Sequence, residues 1–195
     1  MNCFHTLTYE RLYKGLPTIA NSDVPLRVDI LDRLGLLFRC MVDRHHESLF
    51  FGCDVSFPRN VVCPPGNCLF LYFLQRFAGV LRSSGSDLVY AWSRDQGRED
   101  TRQRYGFVVL VQQNPMQPTP GCLNLAEALW HGHTLGVAGN AELVTPFAGD
   151  GIVICRDQPG WEMASAQCYE IASRLARSDT KTMATDANSF GSSRI

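Results

Sequence analysis

His131-Gly132-His133 is the single His-x-His of the chain. Two imidazoles at i and i+2 share one face of a β-strand and can grip a divalent ion there. The pattern around these two is helical, and on a helix the same spacing sets the rings about 200° apart. Gly132 is also a poor strand former. Both are expected as solvent-facing histidines near a helix C-terminus, which favours the imidazolium. His45-His46, closing an earlier helical pattern, reads the same way. Cys63 and Cys68 are separated by Pro-Pro-Gly-Asn, with Cys53 ten residues earlier. A zinc site uses tighter pairs, and no fourth ligand is in view. No metal and no other cofactor is expected.

Arginines are the other chemical candidates. Arg94, Arg98, Arg102 and Arg104 fall on or between two predicted strands, and Arg174 and Arg177 on the last predicted helix. A guanidinium fork holds a phosphate bidentately, so these residues form a site if that helix packs near those strands. Asp95, Glu99, Asp100 and Glu170 are interleaved with them, and a surface that neutralises itself is the rival reading. Trp92, Tyr105 and Phe107 are read as core rather than as platforms for stacked bases. The closing run Ser189-Phe190-Gly191-Ser192-Ser193-Arg194 offers an aromatic anchor, a Gly for a tight turn and an Arg for a carboxylate or phosphate. Local physics alone makes it a stapled tail with a surface ion pair.

These side chains need elements to position them, and 195 residues suffice for one domain with a sizeable core. The 45% apolar content excludes disorder for most of the chain. A net charge of -1 excludes a global basic field, so any nucleic-acid contact needs a local patch. Met1-Asn2-Cys3-Phe4-His5 has neither a basic nor an apolar leader region, and the eight cysteines are expected as reduced, mostly buried thiols in a cytoplasmic protein. No apolar run is long enough to span a membrane.

Pro25 opens a helical pattern through Ile30, Leu34, Leu37, Phe38 and Met41. Phe51 to Phe57 alternates as a half-buried strand stopped by Pro58. Pro64-Pro65-Gly66-Asn67 is a turn with an N-cap candidate, and Phe70 to Leu81 is an amphipathic helix ended at Ser83-Ser84-Gly85. Strands at 87–94 and 104–112, joined without a helix, must be antiparallel. A Pro-rich loop at 114–120 leads to a helix over Leu123–Leu135 capped by Gly136. Short strands near 141–146 and 151–155 and a helix over 161–177 complete the order αβαββαββα. That order predicts an α+β layer fold around one antiparallel sheet.

Several strings, in this order, resemble the inovirus replication-protein family, also described as the YagK/YfjJ C-terminal-domain family. Phe50-Phe51-Gly52-Cys53-Asp54-Val55-Ser56-Phe57-Pro58 resembles the family's strand ending in Phe-Asp-Leu-x-x-Pro. Tyr90-Ala91-Trp92-Ser93-Arg94-Asp95-Gln96 is similar to its Tyr-x-Trp-x-Arg-Glu-Gln. Trp130 with Leu135-Gly136 resembles Trp-x-x-Ala-Leu-Gly. Ala176-Arg177-Ser178-Asp179-Thr180-Lys181, followed by Phe190-Gly191-Ser192-Ser193-Arg194, resembles its closing motifs. The resemblance spans roughly residues 30 to 195. It implies a replication initiator related to the His-hydrophobic-His endonucleases, in which two strand histidines hold Mg²⁺ or Mn²⁺ and a helix Tyr attacks the phosphodiester.

The chain departs at each of those points. Where the family shows His-Tyr-His it has Arg104-Tyr105-Gly106, and neither Arg nor Gly has a lone pair for a metal. Where the family shows Tyr-Leu-Ala-Lys it has Arg174-Leu175-Ala176-Arg177. Tyr169 could stand in as nucleophile, but it lies about 140° round the helix from residue 174.

The resulting expectation is a single α+β domain with a replication-initiator-like central antiparallel sheet flanked by helices. A lead-in at 1–24, a core at 25–178 and a tail at 179–195 packed on that core are expected. The resemblance implies a non-catalytic relative of a phage-type initiator, a DNA-binding regulatory or accessory protein of a phage or mobile element. Arg94, Arg104, Arg174, Arg177, Lys181 and Arg194 would form its basic patch, with binding that weakens steeply with salt. Two alternatives stand beside it. One is a protein-interaction module inhibiting a host factor, favoured by near-neutral charge and many aromatics. The other is a residual single-strand DNA nickase using substitute residues.

Overall fold

The computed structural model of the chain describes residues 5–57, 66–83, 85–96, 103–113, 121–133, 143–179 and 189–195. Four short strands come first: β1 (Leu7–Thr8), β2 (Leu12–Tyr13), β3 (Leu16–Pro17) and β4 (Leu26–Arg27). β1 pairs with β4, and β2 with β3 across Lys14-Gly15, both at positive φ (51° and 81°). Two such residues in a row make the tight turn that matches strand twist. The segment expected as a lead-in is thus built into the body. Val28 donates its backbone N–H to Thr6 O, and Ile19 donates its own to Ser173 Oγ.

α1 (Val28–Arg44) follows, with Asp29 in its first turn and Arg44 in its last, the charges the helix dipole favours. Then come β5 (Glu47–Ser56), α2 (Cys68–Ser83), β6 (Leu88–Gln96), β7 (Gln103–Gln112), α3 (Cys122–His133), β8 (Val144–Pro146), β9 (Ile152–Cys155), α4 (Trp161–Ala172) and β10 (Phe190–Ser192). Six strands form one antiparallel sheet in the order β10-β6-β7-β5, with β8 and β9 both pairing the far side of β5. The fold is a single α+β domain with, among the described residues, four α-helices, two on each face of the sheet.

On one face α2 and α3 bury Phe70, Phe73, Phe77 and Trp130 against Phe51, Trp92, Tyr105 and Phe107. Tyr105 stacks on Phe70 at 4.2 Å and 4°, and its hydroxyl meets Asn67 Oδ1 at 3.1 Å. Trp130 donates its indole N–H to Ser56 O at 2.8 Å. The three aromatics read as core are core: Trp92, Tyr105 and Phe107 are 5%, 1% and 0% exposed. On the other face α1 and α4 pack Ile30, Leu34, Phe38, Cys168 and Tyr169 over Phe50, Val89, Val108 and Leu110.

Helices on both faces correct one expectation. β5 is covered on both sides along its middle, not half-buried; Phe147 lies on Gly52, and Asp54 lies beside Gly106, over which Leu175 closes. The tail is a third edge strand rather than a turn. Gly191 lies opposite Trp92, and a Cβ there would stand 2.6 Å from the indole Nε1, so Gly is required by close approach. Arg33, not Arg194, staples this strand, bonding Ser192 Oγ at 2.8 Å and Ser193 O. Arg194 is exposed.

The helix expected over 161–177 ends at Ala172 and tightens into a 3₁₀ turn, Ser173–Ala176. The Pro58 stop, Pro64-Pro65, Ser84, Arg98, Glu99, Asp100 and Arg102 lie outside the described residues. So do the 114–120 loop, the Gly136 cap, Cys3, Cys63 and Lys181.

Candidate functional site

Pairing register lays the sheet residues beneath the 3₁₀ turn out in two rows. Ser93, Gly106 and Asp54 form one row across β6, β7 and β5; Asp95, Arg104 and Ser56 form the next. Strand alternation points both rows toward the α4 side. Leu175 closes over the first row: a Cβ on Gly106 would lie 2.9 Å from Leu175 Cδ2 and 3.0 Å from Asp54 Oδ1. Phe147, between β8 and β9, drops onto the same floor, where a Cβ on Gly52 would be 2.7 Å from its ring. Two glycines therefore allow a side chain from the turn and an aromatic ring to sit directly on the sheet.

Arg174 lies over that ring, its guanidinium carbon 4.2 Å from the Phe147 centroid, a cation–π stack. Around it opens a cleft of about 370 Å³ lined by Ile19, Phe147, Glu170, Ile171, Arg174 and Arg177. Among the described residues neither the Arg174 guanidinium nor the Glu170 carboxylate has a hydrogen-bond or ion-pair partner. Arg177 differs. Its Nε and Nη2 grip Asp179 at 3.1 and 2.6 Å, and that hydrogen bond, against partial burial and aided by Asp95 and Asp54, holds its pKa above the ordinary arginine value.

The six basic residues expected to act together do not form one patch. Arg104, Arg174 and Arg177 share this side of the sheet. Arg94 faces the opposite side, across from Tyr105, and is 6% exposed. Arg194 follows β10, whose antiparallel run carries it away from Arg104 toward the start of β6, roughly 20 Å along the strand. Lys181 is outside the described residues. Arg174 and Arg177 line the cleft with Glu170, Arg177 is paired to Asp179, and Asp95 lies opposite Arg104 on the sheet with Asp54 in the next row, so the surface is charge-balanced rather than basic.

Other sequence candidates resolve simply. Tyr169 is 1% exposed, donates its hydroxyl to Leu31 O at 3.1 Å, and is pushed well above the usual phenol range by burial. It is no free nucleophile. His131 and His133 lie on α3, whose i and i+2 positions are about 200° apart. His45 corrects its reading: it is largely covered, with Nε2 3.1 Å from Asp87 Oδ2, because Asp87 stands just before β6. Among the described residues no cluster of three or more His, Cys, Asp or Glu comes together. Cys40, Cys53, Cys68, Cys122, Cys155 and Cys168 are free thiols, and burial raises Cys122 and Cys168 to about 12.

Phe147, Ile19 and Asp54 were not picked out as site residues from sequence. The available signal was a pair of interior strand glycines, Gly52 and Gly106, which mark places where another group approaches the backbone. Comparison with protein-family models, with curated proteins and with solved structures returns no match. No helix among the described residues is long and apolar enough to cross a membrane.

Proposed function

We propose that the protein is a non-catalytic relative of a phage-type replication initiator that contacts DNA through this cleft, as a cytoplasmic regulatory or accessory factor of a mobile element. One observation carries the reading. At the position where the resemblance implies a nucleophile, Arg174 lies on an aromatic ring in an open cleft with its donors unused. Its neighbours across the floor, Arg104 and Gly106, stand where the resemblance implies metal ligands and can coordinate nothing.

Magnitudes set the expected strength. One charge-assisted contact contributes about 1.5–3 kcal/mol and one stacked base about 1–3 kcal/mol. Together they correspond to a Kd from roughly ten millimolar to tens of micromolar. A complex that weak dissociates in a gel, so the test is an equilibrium titration by NMR with a single-stranded hexanucleotide. Shifts confined to residues of the cleft, lost in Arg174→Ala, are expected; no shift at low salt removes the reading. Incubation of labelled single strands with Mn²⁺ should leave them uncut and free of a covalent adduct.

The charge balance of the cleft favours a second reading, a protein-interaction module that inhibits a host factor. A nuclease-insensitive, stoichiometric protein partner released by Arg174→Ala would put it first.

A further inference from the structure

Phe147 sits on the sheet against Gly52 and Gly106, and the Arg174 guanidinium stacks on its ring. With Arg174 over the ring and itself lining the cleft, the guanidinium is a planar surface offered to a ligand. A planar cation stacked on an aromatic ring is a platform on which a nucleobase continues the stack, while its in-plane N–H groups point sideways to acceptors. Glu170 precedes Arg174 by four positions, the spacing that brings two side chains to one helix side, and both line the cleft. The two make no ion pair with each other among the described residues. The carboxylate thus presents two acceptors at the edge of the platform and no donor.

We infer that the cleft holds one unstacked guanine nucleotide of a single strand. The base stacks on Arg174, its N1–H and N2–H₂ donate in parallel to the two oxygens of Glu170, and its phosphate faces the in-plane donors of Arg174. This proposal rests on the DNA-contact reading above and adds base identity to it. Among the bases, guanine alone presents two adjacent ring-edge donors. Cytosine and adenine present an exocyclic amine beside an unprotonated ring nitrogen, which a carboxylate repels, and thymine presents one N–H between two carbonyls. The cleft volume supports a single unit: about 370 Å³ is near the lower end of ligand clefts, which run from roughly 300 to 1,000 Å³. A duplex does not enter it.

The test uses the full chain and hexathymidylates carrying one central guanine, hypoxanthine, adenine or cytosine, with the all-thymine strand as reference, titrated by NMR. Hypoxanthine keeps N1–H and lacks the N2 amine. Guanine is expected to bind about tenfold or more tighter than thymine, with hypoxanthine between them. Glu170→Gln, which replaces one acceptor by a donor at an exposed position, is expected to erase that preference while leaving the melting temperature unchanged. Equal binding of all these strands, abolished by Arg174→Ala, would overturn the guanine assignment and leave the DNA reading standing. A preference for guanine that persists in Glu170→Gln would likewise overturn it. No binding of any strand would overturn both.

Discussion

At the scale of single residues, the structure separates arginines that look alike in sequence. Arg177 is committed to Asp179, whereas Arg174 rests on Phe147 with its donors unused. Arg174→Ala should therefore weaken oligonucleotide binding about tenfold or more, the size of a lost charge-assisted contact, with little change in stability. Arg177→Ala should cost binding less, and comparing the two dissociation constants checks this ordering. Gly106→Ala tests the floor. Its methyl would meet Leu175, itself 1% exposed, and the Asp54 carboxylate, so a loss of about 1–3 kcal/mol in chemical denaturation is expected. A neutral result would mean that the turn does not close on the sheet. The thiols give a further check. Burial keeps Cys122 and Cys168 near 12, with Asp150 adding to the shift at Cys122, so both should resist alkylation at pH 8 in the folded protein and react on unfolding.

Among the elements, the tail strand and the first hairpin carry the sharpest expectations. Gly191→Ala drives a methyl into the Trp92 indole and should detach β10. The readout is the Arg94 amide, which donates to Ser189 O and should lose hydrogen-exchange protection. The β2–β3 hairpin is held by Asp32, which accepts from Lys14 Nζ and, at 3.0 Å, from Tyr13 Oη. The Lys14 hydrogen bond, against some desolvation, keeps this carboxyl below the usual range. A depressed carboxyl contributes stability above its unfolded pKa, about 3.9, and that contribution fades as pH falls through the folded value. Hairpin amide shifts should thus move toward disordered values below about pH 4, and Asp32→Asn should already show them at pH 7.

The elements also show what the sequence made legible. Periodic apolar stripes such as Phe70, Phe73, Leu74 and Phe77 located the helices, and the helix-free link from β6 to β7 gave their antiparallel pairing. Pieces of two residues, such as Leu12–Tyr13, are too short to have a period, so the N-terminal pairings were not visible. Arg104 and Arg174 were legible as a pair. Asp95 and Glu170 were legible as their neutralising neighbours, but Asp54 was not, because it reaches them only through cross-strand register.

On the scale of the whole molecule, a net charge of -1 and a charge-balanced cleft leave no extended field for a polyanion. Six phosphate contacts on a single strand would give a log–log salt slope near -4, and one would give about -0.7. The steep dependence expected from sequence is therefore replaced by a shallow one, set by Arg174 with at most a minor share from Arg104. The most direct measurement is a salt series of single-strand titrations, between about 50 and 200 mM, for the wild-type chain and Arg174→Ala. The account predicts a slope of about -0.7 to -1.4 for the wild type and loss of the binding signal in the variant. Binding that survives Arg174→Ala unchanged, or a slope near -4, would contradict it.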